Sequence, residues 1–161
     1  MKVWPEHVER VAAFLRDAKA EARIEQFSEG TPTAEDAAKA VGCDLSQIVK
    51  SLVFDCDGRA VVVMVPGDRR VDRRKVAAAL ACASVKVAGP AEVARATGFE
   101  AGGVAPFPLP GVDAVLIEPA LLGYETVWIG AGSSRHMASL APTDLVRLAK
   151  ARPVDVVAER S

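Results

Sequence analysis

The sequence predicts an α+β chain, a mixed and largely antiparallel sheet or barrel surrounded by helices. Three observations carry this. Two β-rich runs, 48–56 and 60–65, flank Asp57-Gly58, the strongest hairpin signal in the chain. Helical stretches with start and stop signals interleave with the strands, but the hairpins are antiparallel, which argues against a doubly wound nucleotide fold. Half of the 161 residues are hydrophobic and a quarter are charged, a composition that buries a core and excludes a disordered or collagen-like chain. No repeat, linker or low-complexity segment divides it, so one domain over residues 1–161 is expected.

The elements follow in order. Pro5 to Ala22 reads as a helix with Val8, Val11, Ala12, Leu15, Ala18 and Ala22 on one stripe. Arg23 to Phe27 is a short strand, and Ser28 to Pro32 a loop. Thr33 caps a second helix, which Gly42 stops. After the hairpin, Pro66-Gly67 ends the sheet run and Asp72 caps a helix from Arg73 to Ala81. Val85 to Val87 is a strand, and Pro90 to Thr97 a helix stopped by Gly98. Residues 101–111, rich in Gly and Pro, should be irregular. Strands are expected at 114–117 and 126–129, then a turn at Gly130-Ala131-Gly132, a strand at 136–140 and a last helix from Pro142 to Lys150.

Composition narrows the function classes. Twenty basic side chains against 21 acidic ones leave a formal charge of −1, so any nucleic-acid contact needs a local patch. The cysteines, Cys43, Cys56 and Cys82, are odd in number and far apart, with no CxxC pair, and no disulfide framework is expected. The two histidines cluster with no zinc ligands, so neither metal nor cofactor is expected. No apolar leader and no run of about 20 apolar residues is present, so a cytoplasmic location and no membrane partner are expected.

Four segments break local rules. Lys50 lies in Ile48-Val49-Lys50-Ser51-Leu52-Val53-Phe54, and strand alternation puts it on the face of Leu52 and Phe54. A lysine there either reaches water at the strand entrance or aims its charge at a phosphate or ester carbonyl in a cleft. Gly102-Gly103-Val104-Ala105-Pro106 lets main-chain N–H groups approach a ligand, or simply makes a tight connection. Gly130-Ala131-Gly132-Ser133, followed by His136, offers an amide nest or a plain turn. A serine nucleophile at Ser133 or Ser134 is rejected, because no nucleophile elbow and no orienting acid accompany His136. Finally, Arg69, Arg70, Arg73, Arg74 and Lys75 put five cations in seven positions, three of them in a helix first turn that disfavours cations. They form either a solvated helix start or a phosphate-binding patch for RNA.

Taken together, these segments resemble the YbaK/prolyl-tRNA-synthetase-associated editing domain. The resemblance runs from Ile24-Glu25-Gln26-Phe27, through Thr33–Gly42, Gln47–Phe54 and Thr97–Phe107, to Ala141-Pro142-Thr143-Asp144-Leu145. It implies the fold of that family and hydrolysis, without metal, of the ester between a wrong amino acid and the terminal adenosine of a tRNA. The family lysine matches Lys50 and would hold the terminal nucleotide through its phosphate. The amides of Gly102, Gly103, Val104, Ala105 and Pro106's loop would bind near the ester, and Gly130, Ala131, Gly132 and Ser133 would contact the adenosine or the oxyanion. Phe27 stands where a cysteine-editing branch tends to carry tyrosine. His136 falls near a histidine that sizes the amino-acid pocket in the synthetase-inserted branch. Pro106-Phe107-Pro108 departs from a pattern with glycine after the aromatic, so the pocket near Phe107 is expected to differ. The expected function is a free-standing trans-editing deacylase for tRNA for proline carrying alanine or cysteine. Its expected partners are the tRNA acceptor end and a synthetase. The alternative is a non-catalytic module that binds a tRNA end or nucleotide in the same cleft.

Overall fold

The computed structural model describes residues 4–27, 30–31 and 33–159. Met1, Lys2 and Val3 of the expected leaderless start, and Ser28, Glu29 and Pro32 of the expected loop, lie outside the described residues. The order is α1 (Glu6–Asp17), β1 (Arg23–Gln26), α2 (Ala34–Val41), β2 (Val49–Cys56), β3 (Arg59–Pro66), α3 (Arg73–Leu80), β4 (Val85–Val87), α4 (Pro90–Thr97), β5 (Ala114–Ile117), β6 (Val127–Ser133), β7 (His136–Leu140), α5 (Pro142–Ala149) and β8 (Arg152–Pro153). Short 3₁₀ turns at Leu45–Gln47 and Pro119–Gly123 complete it. The expected mixed α+β architecture is what forms.

Two sheets make the frame. One is antiparallel, in the order β1-β7-β6, and the other is mixed, in the order β4-β2-β3-β5-β8. Within the second, β3 to β5 and β5 to β8 are parallel, and the remaining pairs are antiparallel. A parallel bridge between Ile48 and Trp128 joins the two sheets at one corner. Strand alternation divides β3 cleanly. Val62 and Met64 enter a large core with Val11, Phe107, Ile129 and Leu145, while Val61, Val63 and Val65 enter a smaller one with Val76 and Val156. The five-stranded sheet is therefore covered on both faces, which explains why its central strands read as almost continuous apolar runs.

Local chemistry sets the ends. Thr33 accepts the Asp36 N–H at the start of α2, and Gly42 closes it in the left-handed region at φ 73°. Asp57 and Gly58, at φ 53° and 89°, make the hairpin turn. Three expectations need correction. The first helix stops at Asp17, not Ala22, because the chain reverses at Lys19, a non-glycine residue at φ 52°. Gly130-Ala131-Gly132 is not a turn: β6 runs through it to Ser133, with a bulge between Gly130 and Ser133, and the reversal falls at Ser134-Arg135. Cys56 and Cys82 are bonded as a disulfide, with Cα atoms 6.0 Å apart. Pairing of Cys56 with Val85 across β2 and β4 brings the two cysteines together over 26 residues, a proximity that spacing alone does not reveal.

Candidate functional site

The site begins where β4 fails to cover β2. β4 pairs only with Phe54, Asp55 and Cys56, and β6 reaches β2 only at the Ile48–Trp128 bridge, so the stretch of β2 between them has no pairing strand on that edge among the described residues. A cleft of about 340 Å³ lies there, with Lys50, Ser51 and Leu52 on one wall, Gly102, Val104 and Gly130 on another, and Ser133 and His136 beside them. The start of α2, at Thr33 and Ala34, closes a further side.

Lys50 is half-buried. Its Nζ donates to the Arg69 carbonyl at 2.6 Å, which aims the side chain across the end of the hairpin. Burial pushes its pKa below the ordinary lysine value. The carboxylates of Glu35 and Asp68 act against that, and the Arg70 cation adds to it.

The two glycine segments meet each other rather than merely sharing a cavity. A Cβ on Gly103 would stand 2.8 Å from Ser133 Cα, and one on Gly130 would stand 2.6 Å from the Val104 carbonyl oxygen. Only glycine permits this approach of loop to strand. Gly132, at φ 104°, is pressed in turn against α1, where a Cβ would lie 2.7 Å from the His7 carbonyl oxygen. The loop is pinned from the other side by Arg10. Its Nη2 donates to the Thr97 carbonyl at 2.7 Å, and its guanidinium lies 4.0 Å from the centre of the Phe99 ring.

His136 is buried, at 3% exposure. Its Nδ1 is 2.6 Å from Ser133 Oγ, and that oxygen also accepts the Arg135 N–H. The Trp4 ring packs against the imidazole at 5.5 Å, edge to face. Burial lowers the His136 pKa, which favours the neutral ring. Its Nε2 is buried with no hydrogen-bond partner among the described residues. The Ser133–His136 contact is thus a dyad with no acid behind it among the described residues.

Of the residues singled out from sequence, Lys50, Gly102, Val104, Gly130, Ser133 and His136 line the cleft. Gly103, Ala105, Pro106, Ala131 and Gly132 are buried behind it. Phe27 packs with Ala37, Ala38, Ile48 and Met137, off the cleft wall. Phe107 is buried and stacked on Phe14, so the departure at Phe107-Pro108 reshapes the core and not the cleft. The cationic run divides. Arg69 donates to the Ala158 carbonyl, and Lys75 to the Asp155 carboxylate and the Val157 carbonyl, so both hold the C-terminal tail. Arg70, Arg73 and Arg74 are exposed, Arg74 3.7 Å from Asp72. Sequence reasoning missed Ser51, a polar residue on the β2 face between the buried Val49 and Val53, and it missed Trp4. Among the described residues, no group of three or more His, Cys, Asp or Glu is arranged to hold a metal ion.

Comparison with known proteins adds independent findings. The model of a family described as aminoacyl-tRNA editing domain matches residues 28–148. YwhH of Bacillus subtilis strain 168, itself described as uncharacterized, is 33% identical over 123 residues, covering 76% of this chain and 78% of that one. A proline--tRNA ligase of Lactobacillus helveticus is 29% identical over 115 residues, covering 71% of this chain and 20% of the ligase. The chain thus corresponds to about a fifth of that relative's length. A crystal structure described as a candidate trans-editing enzyme for prolyl-tRNA synthetase superposes with a TM-score of 0.91 at 31% identity, covering 98% of this chain and all of that one.

Proposed function

The chain belongs to the aminoacyl-tRNA editing domain family, and from that footing we propose that it is a free-standing deacylase acting in the cytoplasm. Its substrate would be tRNA for proline carrying a small wrong amino acid, alanine or cysteine. The observation that carries this reading is the meeting, in one cleft, of the Lys50 side chain with the glycine loop at Gly102–Val104 and strand β6 at Gly130, which are pressed together where Gly103 meets Ser133 and Gly130 meets Val104.

The chemistry asks little of side chains. An aminoacyl ester is already activated, and hydrolysis breaks one C–O bond. Water adds to the carbonyl carbon, the ribose oxygen leaves, and a proton passes from the water to that oxygen. What accelerates this is positioning and donors aimed at the oxygen that becomes negative. The amides of Gly102 and Val104 and those around Gly130–Ser133 are suited to that task, the Gly103 N–H being already held by the Glu100 carbonyl, with Lys50 gripping the phosphate of the terminal nucleotide. Arg70, exposed and near enough to act on Lys50, and Arg73, exposed at the start of α3, suit the phosphates farther along the acceptor stem. No metal is required by this scheme, and a prolyl-tRNA synthetase is the natural partner to hand over the charged tRNA.

A second reading has its own observation. The His136 imidazole is tied to Ser133 through Nδ1 and packed against Trp4, and its Nε2 is buried, so neither ring nitrogen is open to a water in the cleft. A module that grips the tRNA end without turnover fits that equally. Release of amino acid from alanyl-, cysteinyl- and seryl-tRNA for proline by wild type and Lys50→Ala separates the two. Release by wild type, abolished in Lys50→Ala, supports the deacylase. Tight binding of the tRNA end with no release selects the binding module.

A further inference from the structure

Ser51 has no part in the scheme above. It follows Lys50 in β2 and lines the same cleft. Its Oγ is buried and meets no hydrogen-bond partner among the described residues. A buried hydroxyl without a partner destabilises a fold, so its presence calls for a reason. The other hydroxyls of the cleft are occupied. Ser133 is held by His136, Thr31 by the Ser134 carbonyl, and Thr33 by Asp36.

The main chain of Ser51 points the same way. The Val53 carbonyl accepts the Ala88 N–H on the β4 side of β2. Strand alternation puts the N–H and C=O of Ser51, two residues earlier, on that same edge, along the stretch that β4 leaves uncovered. One residue therefore brings an unpartnered hydroxyl and an open-edge carbonyl to the cleft.

The editing scheme leaves one substrate group without a receptor. An aminoacyl ester carries an α-amino group, and the Lys50 ammonium and the amide N–H groups of the glycine loop and β6 are donors that cannot receive it. No carboxylate lines the cleft among the described residues. We propose that Ser51 receives the substrate's α-amino group, through its hydroxyl and its main-chain carbonyl, and so orients the ester toward the amides of the glycine loop and β6. This rests on the deacylase reading.

The test compares alanyl- and cysteinyl-tRNA for proline, each with the α-amino group free or acetylated, using the full chain and its Ser51→Ala and Ser51→Thr variants. Wild type should prefer the free amine. Ser51→Ala should lose roughly tenfold to a hundredfold in kcat/KM on the free amine, the range expected for a hydrogen bond to a charged group, and change little on the acetylated ester. Ser51→Thr should keep the preference. The melting temperature of Ser51→Ala should equal or exceed that of wild type, because no partner inside the protein is lost. Equal losses on both esters, or none on the free amine, would overturn the inference. So would a lowered melting temperature with losses on both esters, which would mark the hydroxyl as bridged by a buried water. A wild type inactive on every ester overturns the deacylase reading itself, and this inference with it.

Discussion

Adding one methyl group at Gly103 tests whether the loop and β6 act as a single surface. The Cβ of Gly103→Ala would sit 2.8 Å from Ser133 Cα and 3.0 Å from Ser133 N and C, against about 3.4 Å for the near end of ordinary contact. The neighbours are backbone, so no side chain can swing aside. Loop and strand must part by about 0.6 Å, and overpacking of this kind costs about 1–3 kcal/mol. At about 2–4 °C per kcal/mol for a chain of this size, melting should fall by several degrees. The effect on rate should be larger. A misplacement of about 1 Å at a reacting centre costs about a hundredfold, so single-turnover deacylation should slow between about tenfold and a hundredfold. Gly123→Ala is the control. It lies in a 3₁₀ turn with nothing within 4 Å of the new Cβ, and should stay within about 0.5 kcal/mol of wild type. If Gly103→Ala melts and reacts like Gly123→Ala, the two segments do not press on each other and the site is not the surface described.

Other outcomes follow from the same geometry. His136 should titrate, by NMR of its ring protons, below the ordinary histidine value of about 6.5. The unfolded chain then holds more protons than the folded one between the two midpoints. Stability should therefore drop as pH falls below about 6.5, and the loss should be complete below the folded midpoint. A midpoint at or above about 6.5 contradicts the burial described. Arg70→Glu and Arg73→Glu should weaken tRNA binding and reduce its salt dependence by about one unit of slope for each phosphate left unneutralised, as read by filter binding. Arg69→Glu should instead lower the melting temperature, because its side chain holds the Ala158 carbonyl. Unchanged tRNA affinity in the first pair would remove the cationic run from the interface. In non-reducing denaturant, iodoacetamide should label Cys43 alone, and reduction should release Cys56 and Cys82 at a cost of about 3 kcal/mol in stability. Three labelled thiols before reduction would contradict the bond.

Much of the frame was legible because its signals are local. Thr33 and Gly42 bracket α2, and Asp57-Gly58 turns the hairpin, through preferences that a few neighbouring residues decide. Lys50 was legible too, since a cation among strand residues of one apolar face stands out by alternation alone. What failed was set by distant partners. Gly130-Ala131-Gly132 has the composition of a turn, yet its glycines are needed because Val104 and α1 crowd a strand that continues through them. The disulfide depends on strand pairing, and the division of the cationic run depends on a tail some 80 residues away. Ser51 left a readable trace, a hydroxyl between Val49 and Val53, but its lack of a partner is a property of the folded surroundings.

The C-terminal strand of contacts reaches farther than its position suggests. Val156 and Ala158 bond the main chain at Asp72 and Arg70, and Ala158 also holds the Arg69 guanidinium, whose own carbonyl anchors Lys50. These residues lie beyond the segment matched by the family model. They work as a guy-rope on the ammonium group. Removing the residues from Val156 onward would cut it, and would loosen the hold on Lys50 without altering any residue that lines the cleft.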